Sequence, residues 1–135
     1  MKMASLIFLF ILICKSLVAP PSGSLHIFVA EPIKPYEALI KAVVMVESAN
    51  GKYLYNPDED AVGWFQIRQI RVDDYNKRLG TNYVLTDFYD YELSRTMFLY
   101  YASGKSFEVA AKSWNGSGPM TNDYWKKVKT KLNAI

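Results

Sequence analysis

From Tyr36 to the C-terminus the apolar residues recur at helical spacing, and no run alternates as a strand would. Ala38 to Val46 is apolar on nearly every side except at Lys41, the pattern of a central helix buried by its neighbours. A second helix is expected from about Arg71 to Leu79, ended by Gly80. Thr86 can cap a third from Asp87 to Ala102, with Asp87 and Asp90 in the favourable first turn. Phe88, Tyr91, Arg95, Phe98 and Ala102 then lie along one face, and Gly104 closes it. Ser106 can cap a fourth, where Phe107, Ala110, Ala111 and Trp114 share a face and Asn115-Gly116-Ser117-Gly118-Pro119 stops the chain. Thr121 opens a last helix with Tyr124, Val128 and Leu132 on one side. The expectation is one small all-α domain over residues 36–135, without internal repeats.

The first 35 residues read differently. Residues 1–19 run from Lys2 through an apolar block, Leu6 to Ile13, to Ser16-Leu17-Val18-Ala19 and two prolines, the order of a secretory signal. The block is shorter than the roughly 20 apolar residues of a spanning helix. An exported protein is therefore expected, in the periplasm, the cell envelope or outside the cell. Membrane attachment through an uncleaved N-terminus, or one lipidated at Cys14, is the alternative, although Ile13 is larger than the residue that normally precedes a lipidated cysteine. Residues 20–35 hold four prolines and read as a linker.

Composition narrows the chemistry. Ten Tyr, seven Phe and three Trp can fill a core and leave rings over for a ligand groove. Without Lys2 and Lys15, fourteen basic residues face thirteen acidic ones, so no nucleic-acid partner is expected; Lys126, Lys127, Lys129 and Lys131 read as a solvated helix face. His26, the single histidine, lies in the linker, and Cys14, the single cysteine, in the leader. A Ser-His-Asp triad, a Cys-His pair and an ordinary zinc site are excluded. Asp58-Glu59-Asp60 lacks the Asp or Asn that a calcium loop needs at position 62, which is Val62, and Gly116-Ser117-Gly118 lacks the third glycine of a dinucleotide loop. No metal or cofactor is expected, and carboxylate chemistry remains.

Glu47 is the carboxylate that stands out. It lies four residues beyond Val43 and eight beyond Leu39, on an apolar face, and in the last turn of its helix. Burial and the negative end of the helix dipole both disfavour its charged form, which suits a general acid near neutral pH. A helix-terminal glutamate that simply reaches solvent is the other reading of the same pattern.

Glu47-Ser48, then Ala61-Val62-Gly63-Trp64-Phe65-Gln66-Ile67, then Ala110-Ala111-Lys112-Ser113-Trp114-Asn115-Gly116-Ser117-Gly118, then Tyr124 resemble, in order, the motifs of soluble lytic transglycosylase domains, which share the lysozyme-like fold. The resemblance covers roughly residues 36 to 132 and implies a small lysozyme-like helical domain with a substrate groove. It implies that Glu47 is the catalytic acid, and that Ser48 orients the glycan or the carboxyl. The family's Gly-Leu-Met-Gln motif matches Gly63-Trp64-Phe65-Gln66, implying substrate contact for Gly63, Phe65 and Gln66, with Trp64 and Phe65 replacing the usual aliphatic pair. The Ala-Tyr-Asn-Ala-Gly motif matches Ser113-Trp114-Asn115-Gly116-Ser117, implying that Trp114 and Asn115 bind substrate and that Tyr124 lines the groove. Read as residues alone, Trp64, Phe65, Trp114 and Tyr124 can equally be core, Gln66 a structural amide and Asn115 a helix terminator.

The resemblance further implies a monomer acting on peptidoglycan glycan strands. Its glutamate protonates the bond between MurNAc and GlcNAc, then as carboxylate activates the C6 hydroxyl of the muramic acid, which closes a 1,6-anhydro ring. Two alternatives stay open. A lysozyme-type hydrolase needs a second carboxyl about 5 to 9.5 Å away, for which Asp58, Asp60 and Asp73 are candidates; an inactive glycan-binding module needs only the groove.

Overall fold

The computed structural model describes residues 36–135. The leader, the linker, Cys14 and His26 lie outside the described residues. The rest is a small all-α domain with one minimal β-hairpin. Helix α1 spans Glu37–Ser48. Strands β1 (Tyr55–Asn56) and β2 (Ala61–Val62) pair antiparallel, Tyr55 opposite Val62 and Asn56 opposite Ala61. Then follow α2 (Gln69–Leu79), a 3-10 turn (Leu85–Tyr89), α3 (Tyr91–Ala102), α4 (Phe107–Asn115) and α5 (Met120–Leu132).

Helix α1 packs against α5 and α4, α4 against α5 and α3, and the 3-10 turn against α3 and β2. Leu39, Ile40, Ala42 and Val43 of α1 are fully buried, so the helix is central as its composition demands. Burying one such side chain stabilises the fold by about 1.5 to 3 kcal/mol. Lys41 and Met45, four residues apart, mark the face of α1 left to solvent. The start of α1 is tied to α3 twice: the Tyr36 hydroxyl lies 2.8 Å from the Ala102 carbonyl at its end, and Arg95 in its first half forms an ion pair with Glu37.

Three expectations from periodicity are corrected. Two strands exist, but at two residues each they are too short for alternation to register. The third helix begins at Tyr91, not Asp87. Asp90 is its cap, with Oδ1 accepting from the Leu93 N–H at 2.7 Å. The Thr86–Asp87 segment winds instead as a 3-10 turn whose Phe88 carbonyl accepts the buried Ser94 hydroxyl at 2.7 Å. Thr121 lies inside the first turn of α5, its hydroxyl bonded back to the Gly118 carbonyl, and the helix starts at Met120 just after Pro119. The Ser106 cap on α4 and the left-handed Gly80 that ends α2 are as expected.

Candidate active site

Glu47 stands in the last turn of α1, half-buried, with no basic residue in that turn to offset the dipole. Its Oε1 accepts a hydrogen bond from the Tyr124 hydroxyl on α5 at 2.6 Å, a contact that exists because α1 and α5 pack side by side. Burial pushes the Glu47 pKa up to about 7, and Glu59 adds to the rise. The bond from Tyr124 pulls the other way, as do the charges of Arg68 and Arg71, but burial outweighs them. Near neutral pH its protonated and ionised forms are therefore both populated. Tyr124 itself, buried and beside a carboxyl, is held far above the ordinary phenol pKa, so it acts only as a neutral donor.

The segment after β2 turns sharply and places the pocket wall. Gly63 has φ +77°, and a Cβ there would lie 2.0 Å from the Phe88 carbonyl oxygen, so only glycine lets the hairpin meet the 3-10 turn. Gln66 adopts φ 50° without being glycine, which costs roughly 1 kcal/mol and aims its amide at the pocket. Both Gln66 amide hydrogens go to backbone carbonyls, of Tyr53 at 3.2 Å and Gly63 at 2.9 Å. Its amide oxygen is the part left for a ligand.

The far wall is aromatic and cationic. The Trp114 indole N–H donates to the Phe65 carbonyl at 3.1 Å, so the ring is fixed on the core and one edge reaches the pocket. The Arg71 guanidinium, from the first turn of α2, lies 4.2 Å from the Trp114 ring centroid and 5.1 Å from that of Tyr101. It donates to the Trp114 carbonyl at 2.7 Å.

Glu47, Gln66, Arg71, Trp114 and Asn115 thus line one pocket of about 240 Å³, with Glu59 and Arg68 at 3.8 Å from each other on its rim. A larger hollow, about 460 Å³ between Lys41, Met45, Lys131 and Ile135, holds no acid. Among the described residues no group of three or more His, Cys, Asp or Glu could hold a metal ion.

Of the residues singled out from sequence, Glu47, Gln66, Trp114 and Asn115 meet at the pocket and Tyr124 touches Glu47 from behind. Ser48, Gly63 and Phe65 do not line it. Ser48 is fully buried, its hydroxyl 3.0 Å from the Trp64 carbonyl and accepting the Gly51 N–H, so it braces the chain beyond α1 and is not placed to contact a ligand. Phe65 is fully buried against Phe98 and Trp114 and carries the wall without being part of it. Arg68, Arg71 and Glu59 were missed. A signal was present for Arg71, since an arginine in the first turn of a helix opposes the dipole and asks for a reason.

No protein-family model, no curated protein and no solved structure matches this chain.

Proposed function

We propose that this protein is an exported lytic transglycosylase that cuts the MurNAc-GlcNAc bond of peptidoglycan, with Glu47 as its acid and base. The observation that carries the reading is a single half-buried glutamate, raised to about pKa 7, held by Tyr124 at 2.6 Å and opening on a pocket. It is supported by the order of the sequence motifs, four residues of which meet at that pocket.

Tyr124 occupies Oε1 as a donor, which leaves the acid's proton on the other oxygen. In the proposed reaction that proton passes to the glycosidic oxygen as its bond to the muramyl C1 breaks. The carboxylate so formed takes the proton of the muramyl C6 hydroxyl while O6 bonds to C1. Glu47 ends protonated as it began, and no water is consumed. A pKa near 7 suits a group that must both give and take a proton in one turnover. The Gln66 amide oxygen, Asn115 and the Trp114 edge are the groups that would hold the sugars.

A hydrolase on the same polymer is the second reading, and one observation bears on it. Asp58, Asp60 and Asp73 do not line the pocket; Glu59 does. The second carboxyl of a hydrolase would therefore be Glu59. Digestion of purified peptidoglycan by the wild type and by Glu47→Gln, with mass spectrometry of the products, separates the readings. Anhydromuramyl ends from the wild type alone support the transglycosylase; reducing ends, one water heavier, make it a hydrolase.

A further inference from the structure

Arg71 is a cation built into the pocket with no carboxylate paired to it among the described residues. Among the described residues no carboxylate lies within ion-pair distance of it: Asp74 is taken by Arg78 at 2.6 Å and by the Tyr101 hydroxyl at 2.7 Å, and Glu47 by Tyr124. Of the five N–H donors of a guanidinium, one is bonded to the Trp114 carbonyl. The rings of Trp114 and Tyr101 fix the plane of the fork, and burial lowers its pKa from the usual arginine value. A desolvated charge held rigid with open donors is unfavourable until an anion meets it. Arg68 adds a second guanidinium at the rim, on loan to Glu59 at 3.8 Å with both side chains largely in solvent.

We infer that Arg71, assisted by Arg68, is a substrate-recognition residue that takes a carboxylate carried by the muramyl half of the substrate. The inference rests on the peptidoglycan reading above. The flat fork matches a carboxylate in two parallel hydrogen bonds. GlcNAc carries no anion, whereas the muramyl unit carries one through its C3 substituent: the lactyl carboxylate of a bare sugar, or the carboxylates of an attached stem peptide. The pocket thereby chooses which sugar lies on which side of Glu47.

The test uses the full chain with Glu47→Gln, which cannot turn over, and calorimetry on five ligands. These are a GlcNAc tetramer, peptide-free glycan fragments with free lactyl carboxylates, the same fragments with that carboxylate blocked as a methylamide, and muropeptides with their stems intact or likewise blocked. At least one free-carboxylate ligand should bind about tenfold or more tightly than its blocked form, by a margin the uncharged tetramer cannot show, and adding Arg71→Gln should erase that difference. Preference for free over blocked lactyl fragments assigns the lactyl group; preference only among the stem-bearing ligands assigns the stem. Equal affinity for free and blocked forms, a preference that survives Arg71→Gln, or no binding at all overturns the inference. If Arg71→Gln loses its helical circular dichroism, the comparison of free and blocked ligands decides alone. Reducing ends from the wild type would overturn the transglycosylase and leave the carboxylate preference to stand or fall separately.

Discussion

The two walls of the pocket are built on opposite principles. On the α1 and α5 side, Glu47 and Tyr124 form a hydrogen-bonded pair in which burial raises the pKa of the acid to about 7. On the α2 and hairpin side stand Arg68, Arg71 and Glu59, of which Arg68 and Glu59 face each other at 3.8 Å. The difference comes from what each wall rests on. The neutral wall is wedged between two helices that bury their apolar faces together. The other wall projects from a helix start and a loop: Arg68 and Glu59 reach water there, and Arg71 is half-buried against the rings of Trp114 and Tyr101. Burial beside Tyr124 shifts a proton; on the other side solvent screens the Arg68–Glu59 pair, and two aromatic rings hold Arg71.

Breaking the neutral wall at its centre should have the largest effect. If the proposed reaction holds, Glu47→Gln lowers kcat/KM by roughly 10² to 10⁴, or about 3 to 5 kcal/mol of barrier, read from the rate of anhydromuropeptide release. A loss below about threefold would remove Glu47 from the chemistry. Next is the joint that sets the walls against each other: Gly63→Ala should destabilise the fold by more than about 3 kcal/mol in urea unfolding, since its Cβ meets the Phe88 carbonyl and its φ is left-handed.

The same Glu47→Gln variant tests the cause of the shift through stability. With the folded pKa raised from 4.5 to about 7, the native state holds more protons than the unfolded chain in that interval. The wild type should therefore lose stability as pH rises through it and then level off. Glu47→Gln has no such loss, so its melting temperature should match the wild type at about pH 4 and exceed it at about pH 8, the gap reaching about 3 kcal/mol at most. Equal stability at both pH values would mean that Glu47 is solvated.

Two smaller changes should move the activity profile in opposite directions. Tyr124→Phe removes the bond that lowers the Glu47 pKa, so the alkaline limb should move up while kcat/KM falls roughly tenfold, for a lost bond of about 1.5 kcal/mol. Glu59→Gln removes a charge that raises it, so the alkaline limb should move down with little loss of rate. Shifts of the same sign would sink the two-wall description.

Much of this molecule is decided by neighbours in sequence. The spans of α1, α2 and α4, the Ser106 cap, the Gly80 stop and the place of Glu47 on an apolar face depend on residues within about two turns, so periodicity and capping chemistry read them. Where two local signals compete, as with Thr86 and Asp90 for the start of α3, the sequence does not rank them; Phe88 does, by burying itself between hairpin and helix and spending its carbonyl on Ser94.

The site belongs to the other class. Glu47 meets Tyr124 across 77 positions, and Arg71 meets Trp114 across 43. Which of Phe65 and Gln66 faces the pocket depends on the left-handed turn at Gly63 and Gln66, which sends the phenylalanine inward and the amide outward. A local pattern records whether a side chain is apolar and how often its kind recurs. It carries no record of which distant surface will cover that side chain, and burial by that surface is what sets a pKa, frees a guanidinium and turns neighbouring residues into wall and support.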